Sequence, residues 1–159
     1  MLPDSMRYAR FDRYGPPEVL HVATGPVPRP GPGEVVVRVE AVSVNGGELA
    51  LRSGQLRPFS GNRFPKRIGL DLAGLVVDPG NSRFDLGEPV WGAIGRGGGS
   101  AAEYVAVRAD RIDRVPDGLD AVHAAALVVG RTAITALRDV AALAPRERLL
   151  LRGAAGGVG

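Results

Sequence analysis

The chain has 159 residues, 45% apolar and 23% charged, which makes it globular rather than disordered. It has no cysteine, so disulfides and thiolate metal sites are excluded. A net charge of +3 spread over scattered arginines, with 5% aromatic residues, excludes basic tails and the stacking platforms that bind single-stranded nucleic acid.

In chain order, the start "MLPDSMRYARF" lacks the apolar core of a signal peptide, and no stretch reaches the ~18 apolar residues of a membrane span. A cytoplasmic protein is expected, with Met6 as the native start and residues 1–5 as an extension. "MRYARFDRYG" reads as a strand ending at Gly15-Pro16-Pro17, and "EVLHVATGPVP" as its hairpin return. In "EVVVRVEAVSVN", Val35, Val37, Val39 and Ala41 alternate with Val36, Arg38, Glu40 and Val42, the pattern of a long half-buried strand. One helical turn is expected around Glu48–Arg52, and "FSGNRFPKR" reads as a loop. Its neighbourhood holds the densest basic group, Arg57, Arg63, Lys66 and Arg67, which is either a solvated face or a surface for an anionic ligand.

"IGLDLAGLVVD" and "GEPVWGAIG" are further strands, the second followed by the flexible "RGGGS". "AAEYVAVRADRIDRVP" supplies one or two more. About seven short strands between turns predict a barrel or sandwich. The period then becomes helical. Asp120 is a candidate N-cap for a helix through Leu127, and a second helix is expected over residues 130–143. "RLLLRG" reads as a strand buried on both faces, and "GAAGGVG" as the glycine turn that follows such a strand in dinucleotide folds. By spacing alone that turn is balanced against a plain glycine-rich terminus. His21 and His123 lack ligand spacing, so no metal is expected.

Seven segments in order carry a resemblance: "EVVVRVEAVSVNGGELALRSG", "IGLDLAGLVV", "LGEPVWG", "GGGSAAEYV", "RVPDGLDAVHAAAL", "GRTAITAL" and "LLLRGAAGGVG". Together they resemble the medium-chain dehydrogenase/reductase superfamily, nearest its zinc-free quinone oxidoreductase (zeta-crystallin-like) branch. The resemblance implies a mainly β fold: a GroES-like barrel over residues 6–119, then helices and the first strand of a truncated Rossmann α/β domain over residues 120–159. It implies hydride transfer from NADPH to a quinone or activated enone. Asn45 would sit near the nicotinamide ribose, Thr132 at the nicotinamide end, and Ala155, Gly156, Gly157 and Val158 along the diphosphate.

Departures from the family pattern are specific. The zinc ligands are absent, and the segment that holds a His-Glu pair in the zinc branch is Gly69-Leu70-Asp71 here. Glu48 stands where an aspartate is usual, Ala50 and Leu56 where tyrosines are frequent, and Gly87-Glu88-Pro89-Val90 in a turn that is usually Gly-Asp-Arg-Val. No catalytic proton donor is therefore assigned. Family members continue for about as many residues again. The chain is thus expected to be inactive alone, to bind NADPH poorly, and to self-associate through its carboxy-terminal third. The alternative is a truncated, non-catalytic module that binds a partner protein or small ligand. A chaperone role is disfavoured, because architecture does not carry function.

Overall fold

The computed structural model describes residues 2–95 and 97–159. The expected extension is described only from Leu2, and the flexible "RGGGS" apart from Arg96; Met1 and Arg96 lie outside the described residues. Strand β1 (Ser5–Phe11) pairs antiparallel along its whole length with β2 (Leu20–Pro26). Ser5 thus pairs with Pro26, and the Asp4 carbonyl accepts the Val27 N–H.

Five strands form the second sheet, in the order β7-β3-β5-β6-β8. They are β3 (Glu34–Ala41), β5 (Asp71–Asp78), β6 (Pro89–Ala93), β7 (Tyr104–Arg108) and β8 (Ile112–Arg114). All its pairings are antiparallel. A bridge between Tyr8 and Ala102 ties the two sheets together.

The core follows from strand alternation. Val35 and Val37 of β3, Leu72 and Val76 of β5, Val90, Val105, Val107 and Ile112 form one buried cluster with Phe84. Val36, on the opposite face of β3, is also fully buried, so the start of this strand is covered on both sides rather than half-buried. Helix α3 (Ala121–Leu127) closes the far side, where Ala124 and Ala125 lie on Ala73. Alanine on both partners lets the helix approach the sheet closely. Asp120 caps it as expected, its carboxylate accepting the His123 N–H at 2.9 Å.

Three expectations need correction. The segment "FSGNRFPKR" is not all loop: α2 (Arg57–Ser60) is one helical turn, and β4 (Lys66–Arg67) pairs with β1. The second helix is α-helical only over α4 (Gly130–Ile134) and continues with π-helical bonding through Thr135–Val140. Its apolar residues stay exposed, Ile134 and Val140 among them, so no packing fixes a regular register. Leu149–Leu151 form no strand, and Leu150 is 95% exposed. A strand needs a neighbour for its N–H and C=O groups, and these residues have none among the described residues.

Candidate functional site

Helix α1 (Gly46–Ser53) begins where β3 ends, and its first turn builds the site. Glu48 is 98% buried, with 2% relative exposure. One carboxylate oxygen accepts the Asn45 N–H at 2.8 Å, and the other accepts the Gly69 N–H at 2.7 Å. The first bond satisfies an orphan donor at the helix start. The second fastens α1 to the approach of β5, 21 residues away in sequence.

The Asn45 side chain is turned by two other groups. Its Nδ2 donates to an Asp71 carboxylate oxygen at 2.8 Å and to Ser43 Oγ at 2.9 Å. Ser43 Oγ in turn donates to the same Asp71 oxygen at 2.6 Å. A carboxylate only accepts, so the nitrogen of the carboxamide must face Asp71. Both amide protons are engaged, which locks the orientation of the side chain. The placement comes from strand register: Ala41 of β3 lies opposite Ala73 of β5, so Ser43 falls beside Asp71.

Asp71 is pinned at its main chain as well, its carbonyl accepting from the fully buried Ser100 Oγ at 2.8 Å. Gly69 has φ +96°, and a Cβ there would lie 2.3 Å from the Ala101 nitrogen. Its carbonyl accepts the Gly99 N–H at 2.8 Å and the Ser100 N–H at 3.2 Å. Above α1 the surface is open: Val44 is exposed, and a Cβ on Gly46 or Gly47 would touch nothing within 4 Å.

The remaining expected site residues lie elsewhere. Thr132 is exposed on α4. Ala155, Gly156, Gly157 and Val158 are exposed too, in a turn where the Gly156 N–H donates to the Gly153 carbonyl at 2.9 Å. Gly159 lies against Ala154, where a Cβ would be 2.4 Å away. No hydrogen bond among the described residues joins Asn45, Thr132 and the terminal glycines. Ser43, Glu48 and Asp71 were not assigned roles from sequence; register alone reveals them. Among the described residues, no three His, Asp or Glu side chains converge as a metal site requires.

Two antiparallel sheets closed by a capped helix, with a polar anchor at the α1 terminus, define a GroES-like β-barrel domain. The alcohol dehydrogenase GroES-like domain family matches residues 31–117. The chain belongs to this family, in the zinc-free quinone oxidoreductase branch of the medium-chain dehydrogenase/reductase superfamily. It is 36% identical over 165 residues to the chloroplastic quinone-oxidoreductase QR1 of Triphysaria versicolor, covering 97% of this chain and 50% of that protein. The quinone oxidoreductase of Pseudomonas syringae superposes with a TM-score of 0.85 at 31% identity, over 97% of this chain and 47% of that one. The Escherichia coli quinone oxidoreductase complexed with NADPH gives a TM-score of 0.75 at 25% identity, over 83% and 40%. The chain thus spans about half the length of the curated relatives it matches. Among the described residues, no helix is long and apolar enough to cross a membrane.

Proposed function

We infer that this chain is the GroES-like portion, residues 6–119 with connecting helices after 120, of an NADPH-dependent reductase acting on a quinone or activated enone. The observation that carries the reading is the locked Asn45 carboxamide, held by Ser43 and Asp71 at an open helix terminus. The NADPH-bound relative supports the choice of cofactor.

The chain fits one end of the cofactor. An oriented amide beside an open face suits a nicotinamide ribose, so Asn45 would hold that end and Thr132 would lie beside it. Ala155, Gly156, Gly157 and Val158 would follow the diphosphate. When bound, NADPH supplies the hydride. This chain contributes orientation: Asp71 and Ser43 fix Asn45, while Glu48 fixes the helix that carries it. Both Glu48 oxygens are occupied by backbone N–H groups, so it serves as a strut.

The test is NADPH oxidation with a quinone and an enone panel by the protein from the complete reading frame. Replacing Asn45 with Ala should lower kcat/KM by about 10–100-fold, the loss of one or two oriented hydrogen bonds. No turnover with either acceptor class, or an N45A variant at full rate, would reject the reading. The chain alone should bind NADPH more weakly than micromolar, read by nicotinamide fluorescence.

A further inference from the structure

The structure gathers cations in a second place, outside the Asn45 site. A groove of about 780 Å³ runs between β1, β4 and the glycine loop. Arg10, Arg63, Lys66 and Arg67 line it, and among the described residues no carboxylate does. Of the basic group seen in sequence, Arg57 drops out and Arg10 enters, because β4 pairs with β1 and sets Arg67 opposite Arg10.

Several of these donors are held but not consumed. The Arg67 guanidinium carbon lies over the Tyr8 ring, 4.1 Å from its centroid, a contact that consumes none of its hydrogen-bond donors. Lys66 Nζ lies 5.2 Å from the Phe64 centroid and 5.8 Å from that of Tyr14, and it donates to the Ser60 carbonyl at 2.7 Å. An ammonium has three donors, so the backbone takes only one of them. Arg63 is exposed and has no ion-pair partner among the described residues. Arg10 sits at one edge, 3.3 Å from Asp12. Three unneutralised cations around a volume of this size attract one multiply charged anion, and planar guanidinium forks match phosphate oxygens.

We propose that this groove binds the phosphate or diphosphate of a small molecule, with Arg63, Lys66 and Arg67 as its ligands. Two kinds of molecule carry such a group: a nucleotide other than the hydride donor, whose own diphosphate is assigned to residues 155–158, and a nucleotide-tailed thioester. The groove stands independently of hydride transfer, since none of its residues belongs to the Asn45 network.

Lys66 is the only lysine in the chain, so lysine-selective ¹⁵N labelling gives one backbone cross-peak, placed in the groove. Titrating pyrophosphate at constant ionic strength should move it saturably, with a submillimolar midpoint. The variants R63Q and R67Q should each raise that midpoint by about tenfold or more, the loss of one charge-assisted contact. R29Q removes the same charge from a different hollow and should leave it unchanged. Circular dichroism spectra and urea midpoints equal to wild type show that the variants retain the fold. ADP and coenzyme A then separate the carriers: whichever saturates at lower concentration supplies the group. A non-saturating shift, or one equal in R63Q, R67Q and R29Q, overturns the proposal. So does a response to pyrophosphate with none to ADP or coenzyme A, which would mean an adventitious ion only.

Discussion

Removing the Glu48 carboxylate should unfasten α1 from the sheet. In E48A the N–H groups of Asn45 and Gly69 lose acceptors at 2.8 and 2.7 Å, and the site is too buried for water to replace them fully. Each buried donor left unpaired costs about 1–3 kcal/mol, so the pair should cost about 2–6 kcal/mol. A domain of this size has about 5–15 kcal/mol in total, so the loss is severe but measurable. E48Q keeps the shape and one acceptor, but turns an NH₂ toward the other N–H, and should lose about 1–3 kcal/mol. E48D, the residue usual in the family, is shorter by about 1.5 Å and cannot reach both partners. It should keep one bond and release the other. Urea unfolding followed by circular dichroism gives the energies, and amide exchange at Gly69 gives the mechanism. If E48A lay within about 0.5 kcal/mol of wild type, or Gly69 exchange were unchanged, the strut would not exist as described.

Leu72→Ala empties part of the main cluster and should cost about 2–5 kcal/mol in the same assay. Acidification should destabilise the protein, and the sign follows from depressed carboxylates. Glu88 is held below its ordinary value of 4.5 by the Arg114 guanidinium and then by the Asp85 N–H. The Arg7 backbone N–H, and then its guanidinium, lowers Glu103 likewise. Their stabilisation is complete above the ordinary value and is lost as pH falls through the depressed one. R114Q should therefore show a shallower fall in urea midpoint below pH 4.5 than wild type, and an unchanged slope would refute the assignment. Leu150→Asp, at a 95% exposed position, should leave unfolding energy unchanged yet reduce self-association in light scattering.

Strand alternation made most of the barrel legible, because buried valines recur at every second residue in β3 and β7 and Gly or Pro marks the turns. The two-residue β4 was hidden, since only its pairing with β1 makes it a strand. Leu149–Leu151 misled for the opposite reason: an apolar run reports a tendency to be buried, while strand formation also needs a partner edge. Asn45 was reached through its motif, but its supports were not. Ser43 and Asp71 are 28 residues apart, and nothing short of the β3–β5 register brings them together.

One residue has a wider consequence. Gly69 gives its N–H to Glu48 and its carbonyl to the loop at Gly99 and Ser100. A displacement of that loop is therefore passed to the helix that carries Asn45 without crossing the hydrophobic interior. Loop and helix terminus are thus joined through a single residue.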